Sequence, residues 1–277
     1  MASRLARITV GGVPRVVDLL SGAPAAGPAP APARVWHYEA LAVGADPVPN
    51  PWSEFHGLRT DQREILDVSS QGLGFARALR FNVQPGDTGW GGTSGTLRSE
   101  VRASIAQSGS VTVGSEQWWA WPTFFPADFN WDENNQFLIF TQWRHGGAGS
   151  GNPNVGLWSD VNENLMLWVR GGSGGAVSGD AQYEKTYNLG PIVKGAWSRF
   201  MVHQVWSDDP ATGLVEVYRN GVLLHSAADA NLYTGDTIYI KQGIYSAAGT
   251  QRQHFITHGP LRWGSTRDAV ENLPPFV

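Results

Sequence analysis

The chain has 277 residues, enough for one large β domain or two smaller ones with a substantial buried core. Its 20 basic against 24 acidic residues leave a net charge of -4, which argues against a broad nucleic-acid surface, and no apolar run approaches the roughly 20 residues of a membrane span. The absence of cysteine excludes disulfides, thiolate nucleophiles and metal-thiolate sites, and 34 glycines beside 13 tryptophans point to many turns between aromatic-rich strands.

Residues 1–22 read as a short β arm, with weak alternation from Arg7 to Leu20. Ile8-Thr9-Val10-Gly11-Gly12-Val13-Pro14 is too broken for a signal-peptide core. The expectation is a protein that leaves by a signal-independent route, extracellular or virion-associated, or otherwise stays in the cytoplasm. Residues 23–34 form a semi-rigid Pro/Ala-rich linker, and an arm tethered in this way suits docking onto another protein subunit. Residues 35–277 make up the main domain.

In that domain short apolar-rich runs alternate with turns, predicting strands at 75–83, 96–105, 115–121, 136–145, 155–159, 164–170, 197–206, 214–219, 222–226, 237–246 and 253–263. Asn220-Gly221 between two runs marks a two-residue hairpin. Helical periodicity is confined to single turns at 60–66 and 126–129. Many strands at this spacing predict an all-β sandwich or jelly roll.

Three strands carry chemistry on one face. In the run 96–105, Leu97, Val101, Ala103 and Ile105 face inward, while Arg98, Glu100, Arg102 and Ser104 face outward. Two arginines flanking a glutamate can grip a carboxylate, with Glu100 fixing one of them, although a solvated charged face has the same pattern. In the run 136–145, Gln142 and Arg144 share one face and Trp143 and His145 the other. A Gly-rich loop, 146–151, follows His145, so a bulge at the strand end could swing that imidazole across. In the third run Ile238, Ile240, Gln242 and Ile244 point one way and Tyr239, Lys241, Gly243 and Tyr245 the other. A phenol beside a cation can have its pKa lowered enough to exchange protons with a substrate.

Other polar residues carry weaker signals. His203 alternates with Met201 and Val205, as a packed histidine does. Asp87 and Asp132-Glu133 offer loop carboxylates compatible with a structural calcium, but no spaced ligand loop accompanies them. Glu184, Glu216 and Asp236 are scattered, which disfavours a glycoside hydrolase built on paired carboxylates.

Taken in order, Arg98-Ser99-Glu100-Val101, Gln142-Trp143 followed by a histidine, the stretch from Trp197 to Asn220-Gly221, and Tyr239-Ile240-Lys241-Gln242-Gly243-Ile244-Tyr245 resemble the polysaccharide lyases of the heparin-lyase and glucuronan-lyase group. A more distant similarity is to the alginate lyases, and the resemblance covers roughly residues 70–265. It implies a concanavalin-like β-jelly-roll sandwich that cuts a uronic-acid-containing polymer by β-elimination, with no organic cofactor. Arg98 or Arg102, with the Gln142 amide, would neutralise the substrate carboxylate. By motif position Tyr245 takes the proton-transfer role, Lys241 tunes it and His145 is a second base. Glu100, Arg144 and Tyr239 complete the polymer-binding face. One departure stands out: the family's histidine usually lies two residues after the glutamine, where this chain has Arg144. Either a bulge restores His145, Arg144 takes over carboxylate binding, or turnover is lost. The rival reading is a non-catalytic carbohydrate-binding or decoration subunit of a larger assembly such as a phage particle.

Overall fold

The computed structural model describes residues 5–10, 13–18, 34–48, 51–89, 96–131, 137–146, 152–173, 182–246 and 249–271, the first two stretches as backbone alone. The chain divides into two compact units, Met1–Pro32 and Ala33–Val277. In the first, β1 (Leu5–Val10) and β2 (Val13–Asp18) pair as an antiparallel hairpin. The Pro/Ala stretch expected at 23–34 lies outside the described residues except for Arg34, which opens a strand of the second unit.

The second unit begins with β3 (Arg34–Trp36), β4 (Glu54–Gly57), β5 (Arg63–Asp67), β6 (Arg77–Val83), β7 (Leu97–Arg102) and the short helix α1 (Ile105–Ser108). It continues through β8 (Glu116–Phe124), β9 (Leu138–His145), β10 (Val155–Ser159), β11 (Asn164–Gly171), β12 (Tyr183–Pro191) and β13 (Trp197–Val205). The last elements are β14 (Leu214–Arg219), β15 (Val222–Ala227), β16 (Ile238–Ser246), β17 (His254–His258), β18 (Leu261–Gly264) and α2 (Asp268–Glu271). One sheet has the order β12-β11-β10-β9-β16-β7-β4. The other runs β15-β14-β13-β8-β17-β6-β5, with β18 bridging β8 and β3. The two antiparallel sheets form the expected sandwich.

The core between them is unusually rich in indoles. Trp52, Trp119, Trp121, Trp131, Trp143 and Trp206 are fully buried, and Trp36 stacks on both Trp52 and Trp119, the latter in turn on Trp263. Truncating one such ring to alanine costs about 3–5 kcal/mol. Most tryptophans therefore serve packing, as expected of a β core, while Trp158, Trp168 and Trp197 are half-buried.

Several elements differ from the sequence expectation, each for a local reason. The strand predicted to Ile105 ends at Arg102 because Ser104 caps α1: its Oγ accepts from the Gln107 amide at 3.1 Å while Gln107 Oε1 accepts from the Ser104 amide at 2.7 Å. The turn predicted at 60–66 is a 3-10 turn over Thr60–Gln62 followed directly by β5. The run 253–263 is split into β17 and β18 by Gly259-Pro260. The strands β3, β4, β5 and β12 have no counterpart in the predicted set.

Candidate active site on the seven-stranded sheet

The centre of this sheet is assembled by β7, β16 and β9, which are far apart in sequence and adjacent in space. Arg98 lies opposite Tyr245, Glu100 opposite Gly243, and Arg102 opposite Lys241. On the other side of β16, Lys241 lies opposite Gln142 and Tyr239 opposite Arg144. Residues directly opposite in adjacent strands share a face, so three separate alternating patterns become one outer surface. His56, Arg98, Arg102, Gln142, Arg144, Asn152, Pro153, Tyr239, Lys241 and Tyr245 line a groove of about 460 Å³ there.

Beneath the groove Glu100 is 1% exposed. Its carboxylate accepts from Lys241 Nζ at 2.7 Å and from Gln142 Nε2, and lies 3.3 Å from Arg98 Nε. Burial pushes this carboxyl up, but Lys241 and Arg98 outweigh it and hold the group below its ordinary range. Lys241, 2% exposed, is pulled down to about 8 by burial, opposed by Glu100 and reinforced by Arg98. Glu100 is therefore an anchor shared by three groove side chains. It is not a surface ligand, and the outward-facing charged strand expected from sequence is in this respect corrected.

Two cations also cover the phenols. The Arg98 guanidinium lies over the Tyr245 ring at 4.4 Å and that of Arg102 over the Tyr239 ring at 4.2 Å. Arg144 Nη1 donates to the Tyr239 hydroxyl at 2.8 Å. All of this requires β16 to approach β7 closely at Gly243, whose φ is +144° and whose added Cβ would lie 2.1 Å from the Ser99 carbonyl oxygen.

His145 goes elsewhere. From residue 141 to 145, β9 pairs with β16 without a shift, so no bulge rotates the strand end. His145 shares a face with buried Trp143, is 1% exposed, lies 3.7 Å from the Asp236 carboxylate and meets the Tyr233 ring edge-on at 5.6 Å. The imidazole expected as a second base is thus placed on the core side, and Arg144 occupies the groove.

A different histidine reaches the groove. On β4, His56 lies opposite Glu100 and lines the groove. Its Nε2 is 3.0 Å from Glu54 Oε2, and Arg102 Nη1 holds the same oxygen at 2.9 Å. Burial and nearby Lys241 lower its pKa to about 4 against the pull of Glu54. His56 is therefore neutral at neutral pH. The signal was present in the sequence, since Glu54-Phe55-His56 alternates polar, apolar, polar, but the run is too short to stand out.

Elsewhere, His203 is a packed residue bridging Glu216 at 2.8 Å and Glu116 at 2.9 Å while stacking on Trp118. Asp87 is taken up by Arg59 at 2.9 Å and Gln62 at 3.0 Å, and Asp132 and Glu133 lie outside the described residues. Among the described residues no group of three His, Asp or Glu side chains is arranged to hold a metal ion.

Comparison with known proteins gives the family and the fold. A family model described as polysaccharide lyase matches residues 50–258. Among solved structures, the endo-β-1,4-glucuronan lyase of the fungus Trichoderma reesei superposes with a TM-score of 0.63 at 20% identity, covering 80% of this chain and 94% of its own. The alginate lyase AlyC3 matches at 14% identity over 68% of this chain and 75% of its own, with a TM-score of 0.50. The alginate lyase Aly36B matches at 13% identity over 83% and 96%, also at 0.50. No curated protein sequence matches the chain. These structural likenesses carry the fold, and the family match spans every strand of the groove, from β4 to β16. The chain belongs to the polysaccharide lyase family.

Proposed function

We propose that the groove binds a uronic-acid-containing polymer and cleaves it by β-elimination. The observation that carries this reading is the convergence of Arg98, Gln142, Arg144 and Lys241 on one groove with a neutral imidazole, His56, and a phenol, Tyr245. The similar structures bear the names of enzymes acting on glucuronan and alginate, both polyuronates, which supports an acidic substrate.

The chemistry follows from the groups present. A proton at C5 of a uronate is acidified when its neighbouring carboxylate is neutralised, because the electrons left behind spread onto that carboxylate. Arg98, Arg144 and Gln142 supply the donors, with Gln142 and Lys241 fixed from below by Glu100. The His56 imidazole accepts the C5 proton. The electron pair forms the C4–C5 double bond, the C4–O4 bond breaks, and the Tyr245 hydroxyl delivers a proton to the departing oxygen. Glu54, itself held by Arg102, keeps the imidazole in the required tautomer.

The test is ultraviolet absorbance of the new double bond during incubation with glucuronan and alginate. Tyr245→Phe and His56→Asn should each abolish the rise while leaving the thermal melt and polymer retention intact. Turnover unaffected in both variants would remove the assignment of roles. No rise on either polymer would count against the elimination reading itself.

A further inference from the structure

The outer face of the other sheet, on the far side of the sandwich from the groove, carries a second recess. Pairing sets Trp197 of β13 opposite Phe124 of β8, Phe124 opposite Thr257 of β17, Thr257 opposite Arg80 of β6, and Arg80 opposite Glu64 of β5. These positions form one cross-strand row over five strands and so share a face. Their sequence neighbours Phe125, Ile256, Phe81 and Ile65 belong to the core, so the row points outward. Thr257 is its short member. At 5% exposure it lies low between Phe124 and Arg80, with Phe255 two residues away on the same strand. Trp197, Phe124, Phe255, Leu66 and Arg80, all half-buried, stand around it and enclose about 310 Å³.

The indole of Trp197 is oriented by Gln71, whose Oε1 accepts from Nε1 at 2.7 Å. Phe75 meets this indole edge-on at 5.5 Å and Phe124 meets it at the same distance, tilted by 45°. Neither ring lies parallel to the indole, which itself lines the recess. Arg80 and Phe255 also line an adjoining hollow of about 510 Å³ with Asn82, Gln84 and Gln253, so the two form one trench.

Charge separates this trench from the groove. Arg63 is paired with Asp46, Arg80 with Glu64, and Asp61 with Arg59 at 3.2 Å. The groove instead presents Arg98, Arg102, Arg144 and Lys241 against two glutamates. A polyuronate is therefore drawn to the groove and gains little field in the trench. What the trench offers is flat rings and side-chain amides. A ring matches the C–H face of a pyranose, and an amide, like a sugar hydroxyl, both donates and accepts.

We propose that the trench is a non-catalytic binding site for an uncharged pyranose chain. One sugar sits over Thr257 against Trp197, and the chain continues past Phe255 toward Asn82 and Gln253. The site goes beyond the elimination reading and does not depend on it. Because it lies on the opposite sheet, it can be filled while the groove holds its own polymer. In a matrix of mixed polysaccharides, such a tether raises the effective concentration of the groove near its substrate.

The experiment titrates the full chain calorimetrically with cellohexaose, xylohexaose and mannohexaose, whose β-1,4 links leave flat ring faces exposed. At least one should bind, and saturation with a glucuronate oligomer should leave that affinity unchanged. Trp197→Leu should weaken it about tenfold, the scale of one lost ring contact. The thermal melt and the absorbance assay on glucuronan should stay as in wild type. Thr257→Tyr, which fills the recess from its floor and leaves every aromatic wall in place, should weaken binding as much and keeps the test decisive if Trp197→Leu unfolds. Binding of no hexaose overturns the proposal, as does affinity unchanged in both variants. Displacement by the glucuronate oligomer overturns it too, since the uncharged chain then lies in the groove.

Discussion

Replacing Glu100 with glutamine tests whether the buried carboxylate organises the site. In the wild type one carboxylate at 1% exposure answers an ammonium at 2% exposure and 2.7 Å, with Arg98 at 3.3 Å and Gln142 on the other oxygen. Glu100→Gln keeps the shape and removes the charge, leaving Lys241 buried beside Arg98 and Arg144, two like charges. Breaking a buried pair from one side costs about 3–5 kcal/mol, which for a domain of this size lowers Tm by roughly 6–20 °C. The sign of the pH dependence follows from Lys241. Its folded-state pKa, about 8, already lies below the ordinary lysine range, and loss of Glu100 lowers it further. Between the folded and unfolded pKa values the unfolded chain binds more protons, so stability rises with pH across that window. The variant enters its window at lower pH, so its deficit against wild type narrows as pH rises toward 8. Urea unfolding at several pH values reads both the size and the slope. The double variant Glu100→Gln/Lys241→Met should recover most of the loss, because both charges are then gone. A deficit below about 1 kcal/mol that is flat with pH would show that the pair is solvated and the argument mistaken.

The remaining expectations concern the base and the backbone. If His56 takes the C5 proton, the acid limb of kcat/KM should lie near its pKa of about 4, well below that of an ordinary histidine, because the imidazole stays neutral until then; a limb at 6–7 in the pH–rate profile would exclude His56 as the base. Gly243→Ala should lose at least about 2 kcal/mol and all turnover, since the new Cβ would strike the Ser99 carbonyl oxygen at 2.1 Å and the backbone has φ +144°. Urea denaturation within experimental error of wild type would refute the close-approach argument.

The fold and the central strands were legible because their patterns are local. Strict period-two alternation assigned Arg98, Arg102, Tyr239, Lys241 and Tyr245 to an outer face without any knowledge of partners. The parity argument also placed Arg144 with Gln142, and the unshifted pairing of β9 and β16 shows that parity held to the strand end, so of the three alternatives the bulge restoring His145 is absent. What could not be read was everything that depends on pairing between distant strands. Within β7 Glu100 reads either as the residue fixing a flanking arginine or as a solvated charge; Arg98 does lie 3.3 Å from it, but its burial arises only when Lys241 and Gln142 arrive from β16 and β9. His56 was missed because β4 is four residues long, and its role comes from pairing with β7.

The groove also resolves an apparent conflict between a chain of net charge -4 and an acidic polymer. Arg98, Arg102, Arg144 and Lys241 line it, against Glu54 at its edge and Glu100 beneath, while His56 is held neutral. Four cations facing two carboxylates leave a local positive surplus where a polyuronate would lie, and a groove with low-dielectric walls concentrates that field. The two acidic residues do not oppose binding in proportion to their charge. Each is already committed, Glu54 to His56 and Arg102, Glu100 to Lys241, Arg98 and Gln142. They trade part of the attraction for fixed positions of the proposed base and carboxylate donors. An elimination needs that exchange: a loose cluster of arginines would bind the polymer along its length, whereas donors pinned at one carboxylate single out one C5 proton for removal.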